Sequence, residues 1–181
     1  MKKNLLKLSG FFGLVSLLAG IPLTAADLNS DFSLQGTILL LLVSLLILSY
    51  LVFLAGFIYL GNLTKNTLMI ISSYCLILIG SLNYAMLYLS QTYANWTVIY
   101  EQAIVIIVFG ISFGLAGVFH GFSLLKLKEQ LGNIASRTGW VEMIFGFSLL
   151  TLVLSPIAIL LIIPLYILEI MLLLKANKVR I

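Results

Sequence analysis

Apolar runs long enough to cross a bilayer follow one another along almost the whole sequence, separated only by short polar connectors. A helix needs about 20 predominantly apolar residues to traverse the ~30 Å hydrocarbon core of a membrane. In lipid every backbone N–H and C=O must be satisfied within the protein, and a helix does this inside a single segment. The chain is 62% hydrophobic and 9% charged, against about 45–50% and roughly 25% in soluble domains. The fold expected is therefore all-α: a polytopic integral membrane protein forming one transmembrane domain over residues 1–181.

The periodicity and breaks place helices at about 8–26, 37–60, 68–90, 97–126, 138–154 and 157–175, with 127–137 as an amphipathic connector. Leu124, Leu127, Leu131, Ile134 and Ala135 share one face of that connector, while Lys126, Lys128 and Glu129 lie elsewhere. Gly132 and Asn133 are where it should fray, and Ser136 to Gly139 form the next break. The N-terminal run, with Lys2, Lys3 and Lys7 before it and Ala25 and Ala26 near its end, fits a cleaved signal peptide or a retained first helix. Gly13, Ser16 and Gly20 suit a retained helix that packs against neighbours.

The last apolar segment, Trp140 to Leu174, is too long for a single crossing. Either it is one kinked helix, giving five crossings, or it is a hairpin turning at Ser155 and Pro156, giving six. Charge decides. With the N-terminus in the cytoplasm and six crossings, all ten basic residues fall on the cytoplasmic side, while Asp27 and Asp31 fall outside. Five crossings would move Lys175, Lys178 and Arg180 outside, against the positive-inside bias. Six crossings with both termini cytoplasmic are expected, in the inner membrane of a prokaryote. Tyr88, Tyr93, Trp96 and Tyr100 then read as an interfacial aromatic belt, and Asn95-Trp96-Thr97 as an accidental glycosylation match.

The formal charge of +4 sits on residues scattered through connectors. They are topology signals and contacts to anionic lipid heads, so the bilayer is the expected partner and nucleic acid is not. A single cysteine, Cys75, excludes an intramolecular disulfide, a Cys-x-x-Cys redox pair and a multi-cysteine metal site. No cofactor motif is present, and no motif set of a known family is recognised.

Gly110, Gly114, Gly117 and Gly121 recur on one helical face and read as a packing surface, for another helix of the chain or for a second protomer. Gly110, Ser112 and Gly114 also spell G-x-S-x-G, but a serine hydrolase needs that serine on a sharp strand-to-helix elbow. Here it is mid-helix, and the only histidine lies about 12 Å along the same axis, so that chemistry is rejected.

Ionisable groups inside a membrane cost about 2.5–3.5 kcal/mol at a helix centre on insertion scales, so each needs a reason. Glu101 lies one turn inside the outer end of its helix and reads as a solvated interfacial carboxylate. His120, Glu142 and Glu169 belong to the fourth, fifth and sixth predicted helices. All three sit about 8–9 Å inside the cytoplasmic interface by the helical rise. They are the candidate polar cluster: a structural His–Glu pair, a site for a proton or cation, or the donors of a divalent-metal site, against three independent groups reaching for the headgroups. No residue is assigned as catalytic and no cofactor is expected. Three functions are compatible: an interaction or assembly subunit, alone as a homo-oligomer or within a membrane complex; a small transporter or channel using the His/Glu cluster; and a membrane-embedded lipid-modifying enzyme. The first ranks highest from sequence because packing glycines are plentiful and visible chemistry is sparse.

Overall fold

A computed structural model describes residues 3–28, 36–92, 103–151 and 154–179. The chain forms helices α1 (Lys3–Leu28), α2 (Gly36–Leu63), α3 (Thr67–Thr92), α4 (Ala103–Leu125), α5 (Lys128–Leu131), α6 (Asn133–Leu150) and α7 (Ser155–Lys178). Glu101, Asp31, Tyr93, Trp96, Tyr100 and the Asn95 sequon lie outside the described residues.

Five helices are long and apolar enough to cross a membrane: α1, α2, α3, α4 and α7. The chain is thus a helical protein of membrane-spanning character. α6 has 18 residues, or about 27 Å of rise, so length is not what sets it apart. Asn133, Ser136, Arg137, Thr138 and Glu142 make it more polar than the rest. The 140–174 segment is two helices, and Glu142 and Glu169 meet across them. Pro156 starts α7 from its first turn, where its missing N–H has no intrahelical partner to lose.

The six long helices form a closed ring in chain order: α1 beside α2, then α3, α4, α6 and α7, which returns to α1. Neighbours run antiparallel. Ser9 lies against Gly56 and Gly13 against Phe53 between α1 and α2; Asn66 reaches Ser123 and Ser72 reaches His120 between α3 and α4; and Gly10 and Gly13 of α1 approach Leu174 and Ile170 of α7. The start of α1 and the end of α7 therefore share one end of the bundle. Lys7, Lys65, Lys126, Lys128, Arg137, Lys175 and Lys178 cluster toward that end.

The bundle is inside-out relative to a soluble protein. Leu160 is 77% exposed, and Phe11, Leu41, Leu78, Phe119 and Ile159 also face outward. The buried residues include Ser9, Ser16, Ser49, Ser72, Ser73, Ser123, Thr138, His120, Glu142 and Glu169. Apolar side chains gain nothing by leaving lipid, so the interior is free to collect small and polar groups. The large buried side chains concentrate at the basic end, where Phe57, Leu60, Met69, Leu124, Leu127, Leu131, Leu172 and Leu173 close the ring.

The apolar face of the connector is buried: Leu124, Leu127, Leu131 and Ala135 are inaccessible, while Lys126, Lys128 and Glu129 are exposed. The backbone turns at Gly132, whose φ is +68°, where the sequence expects the connector to fray. The next expected break is absent: α6 runs unbroken from Asn133 through the Ser136–Gly139 stretch. Gly139 does not end a helix. It lets a neighbour approach, and the Thr138 hydroxyl satisfies itself on the Ile134 carbonyl at 2.7 Å.

That neighbour is α4. A Cβ built on Gly121 would lie 2.7 Å from the Gly139 carbonyl oxygen, and one on Gly139 would lie 2.7 Å from that of Gly121. Gly114 and Gly146 repeat the relation at 2.8 and 2.7 Å. Gly117 sits between the two crossings with more room, its nearest neighbour being the Gly146 Cα at 3.6 Å. Three of the predicted stripe glycines thus meet a helix of the same chain.

These distances predict an ordered response to substitution. Gly121→Ala and Gly146→Ala should each destabilise by about 1–3 kcal/mol, because the added methyl meets backbone. Gly117→Ala should stay within about 0.5 kcal/mol of wild type, because its methyl enters ordinary contact. Thermal unfolding in detergent measures the series. Equal effects at all three positions would refute the interlock.

Candidate functional site

The α4–α6 contact sets the position of the site. His120 precedes Gly121 on α4. Glu142 lies between Gly139 and Gly146 on α6, at i+3 and i−4, and so shares their face. Backbones this close bring the imidazole and the carboxylate together without long side-chain reach. Glu169 arrives from α7. One donor atom from each of His120, Glu142 and Glu169 lies within 4.8 Å of the other two. The residues are 0%, 3% and 5% exposed. The structure therefore brings together the three ionisable residues that the sequence places at one depth.

The imidazole is held on three sides. Phe57 packs edge-on to it with ring centroids 5.0 Å apart. Its Nδ1 lies 3.0 Å from Ser72 Oγ and 3.5 Å from Ser73 Oγ. Ser72 donates its proton to the Met69 carbonyl at 3.2 Å. With that proton on the carbonyl the Ser72 oxygen accepts and Nδ1 carries the ring hydrogen; with the Ser72 or Ser73 proton on Nδ1 the hydrogen sits on Nε2. Among the described residues neither Nε2 nor Glu142 Oε2 has a hydrogen-bond partner. Two buried, unpartnered polar atoms thus belong to residues that meet a second carboxylate. Orphaned polar atoms of this kind are costly, and a cation that takes their lone pairs relieves the cost.

A bracket from α3 holds the backbone beneath His120. Asn66 accepts from the Met69 N–H at 3.2 Å, capping α3, and donates through Nδ2 to the Ser123 carbonyl at 2.9 Å. Ser123 in turn donates to the His120 carbonyl at 2.6 Å. Lys65, in the left-handed region at φ 54°, provides the turn that delivers Asn66. The Asn66 N–H closes that turn on the Gly61 carbonyl at 2.8 Å.

Beyond the carboxylates, away from the basic end, lies a cavity of about 240 Å³. Glu142 and Glu169 form part of its wall, with Tyr50, Tyr84 and Tyr166 and the rings of Phe53, Phe113 and Phe145. Tyr50 is fixed by a hydrogen bond to the Leu76 carbonyl at 3.0 Å and by an edge contact with Tyr84. Tyr166 stacks on Phe53 at 5.4 Å. The leucine and phenylalanine plug closes the opposite side.

The remaining sequence candidates lie elsewhere. Ser112 is half-buried within α4, and the His120 Nδ1 faces Ser72 instead. Cys75 is exposed. Gly110 lies on α4, upstream of the interlock. Sequence reasoning missed Gly139 and Gly146 as a packing pair and the three tyrosines as cavity lining. The glycines had a signal, since 139, 142 and 146 share a helical face. The tyrosines had a weaker one: they stand inside apolar runs, where a phenol needs a partner.

Asn66→Ala removes both the cap and the side-chain donor to the Ser123 carbonyl. It should destabilise by about 2–3 kcal/mol, and Asn66→Ser, which keeps the cap, by about 1 kcal/mol less. Unfolding midpoints of the two variants check this, and equal loss in both would show that the cap contributes nothing. Comparison with protein-family models, with curated proteins and with solved structures finds no match to this chain.

Proposed function

We propose that the protein is a small transporter or channel of a prokaryotic inner membrane, with six crossings and cytoplasmic termini. It takes a proton or a cation into the bundle at His120, Glu142 and Glu169. The observation that carries this reading is the convergence of those three buried groups, two of them with polar atoms unpartnered among the described residues, beside a cavity. Ionisable residues that meet inside a membrane bundle mark ion pathways and proton relays.

Six crossings are supported by the alternation of helix directions and by the basic residues gathered at one end, which the positive-inside bias assigns to the cytoplasm. The cavity then approaches the carboxylates from outside, and the plug around Leu124, Leu127 and Leu131 separates them from the cytoplasm. Alternating access would require that plug to open. The assembly-subunit reading drew its strength from glycines available to a partner. Gly114, Gly117 and Gly121 are occupied by α6, so that reading loses its main support.

In proteoliposomes, wild type should carry proton or cation flux above empty vesicles. Glu142→Gln and Glu169→Gln should each lower it at least about tenfold, while the lipid-facing Phe119→Leu leaves it unchanged. Absence of flux in wild type, or full flux in both glutamine variants, sinks the reading. Topology has its own test on a Cys75→Ala background. A cysteine at Lys178 should be labelled only after permeabilisation, and one at Thr151 from outside in intact cells. Labelling of both from the same side would overturn six crossings.

A further inference from the structure

The geometry points to the identity of the cation: His120 Nε2, Glu142 and Glu169 form a site for a divalent first-row transition metal, of the Zn²⁺, Mn²⁺, Fe²⁺ or Co²⁺ class. This rests on the reading of the cluster as a cation site and specifies which cation.

Four observations carry it. The first is the state of the imidazole. Metal-ligating histidines bind through one nitrogen while the other donates its N–H to a neighbouring acceptor, which fixes tautomer and ring orientation. Ser72 is placed for that part, 3.0 Å from Nδ1 and 3.2 Å from the Met69 carbonyl that can take its proton. Nε2, the other nitrogen, has no partner among the described residues and is free to bind an ion.

The second is distance. Donor atoms sharing one tetrahedral ion at about 2.0–2.2 Å are about 3.3–3.6 Å apart. The three donors lie within 4.8 Å of one another, so closure on an ion takes side-chain shifts of up to about 1 Å.

The third is charge. Two carboxylates and a neutral imidazole carry −2, and a divalent ion brings the buried site to zero. A monovalent cation reaches zero only with one of the two carboxyl groups protonated.

The fourth is ligand type. Imidazole with carboxylates suits Zn, Mn, Fe or Co, whereas Mg²⁺ and Ca²⁺ favour all-oxygen shells and Cu(I) favours thiolates. Cys75 is exposed and is not among the clustered donors. Three protein donors leave a further position open toward the cavity, where Glu142 and Glu169 form the wall. Such a site can exchange its ion.

The test uses the full chain in detergent, with its affinity tag cleaved, stripped with chelator and titrated with Zn²⁺, Mn²⁺ or Co²⁺. Metal retained per chain, the visible spectrum of the Co²⁺ form and the unfolding midpoint are read together. Wild type should retain about one metal per chain, with an unfolding midpoint that rises with metal, and millimolar Mg²⁺ should not displace it. His120→Gln and Glu142→Gln should each weaken binding at least about tenfold, and Ser72→Ala, which only positions the imidazole, about 10–100-fold. A wild type that retains no metal overturns the site without recourse to any variant. Unchanged binding in both His120→Gln and Glu142→Gln also overturns it, as does displacement by Mg²⁺. Proton flux that depends on Glu142 in a protein retaining no metal would remove the metal and keep the transporter. Stoichiometric metal without flux would do the reverse.

Discussion

The close approach of α4 to α6 is the interaction on which the rest depends. Membrane helices have no solvent-driven reason to associate and rely on packing, hydrogen bonds and the small residues that allow backbones to meet. Gly114 against Gly146 and Gly121 against Gly139 supply two such crossings, a register apart, in antiparallel helices. Two points determine both separation and rotation. Glu142 stands between the glycines of α6, and His120 beside the second glycine of α4, so the same register that packs the helices presents the carboxylate to the imidazole. A larger residue at either crossing would push the groups apart while leaving both helices intact. Architecture and site are therefore one device in this protein, and a packing defect at Gly146 would be felt at Glu142 one turn away.

The other long helices make that device affordable in lipid. α6 carries the polar groups that least suit a membrane, and it is flanked in the ring by α4 and α7. Its hydroxyls are largely satisfied within the helix: Thr138 and Ser148 donate to carbonyls one turn back. Asn66 ties α3 to α4 just below the histidine. The aromatic series Tyr84, Tyr50, Phe53, Tyr166 and Phe57 then lines the interior on the α2 side with rigid rings, stacked at Phe53–Tyr166 and edge-packed elsewhere. Rigid walls matter because a site of three donors must hold its geometry whether or not an ion is bound.

Much of this was legible in the sequence, and for identifiable reasons. The apolar runs dictated helices because lipid offers the backbone no other partner. The common depth of His120, Glu142 and Glu169 followed from counting residues to the nearest basic side chain. What could not be read was azimuth. Depth is a one-dimensional quantity, whereas meeting requires each helix to be rotated correctly, and rotation is set by contacts between segments distant in sequence. The misplaced break at Ser136–Gly139 has the same origin. A glycine after small polar residues looks like a turn locally, and only the opposing Gly121 reveals it as a packing position. The turn falls at Gly132, the other break the sequence suggests, where a left-handed φ is required.

Burial says that His120 is in the core, which is compatible with a merely structural residue. A structural histidine in a dry core normally uses both nitrogens, one donating and one accepting. Here Nδ1 lies against Ser72 and Ser73, while Nε2 has no partner among the described residues. If the only role of this trio were stability, replacement by apolar residues of similar volume would serve better, since buried charge rarely stabilises relative to a hydrophobic isostere. A histidine and two carboxylates converging from three helices have the composition of a ligand set. The cavity lies on one side of the carboxylates and the leucine plug on the other.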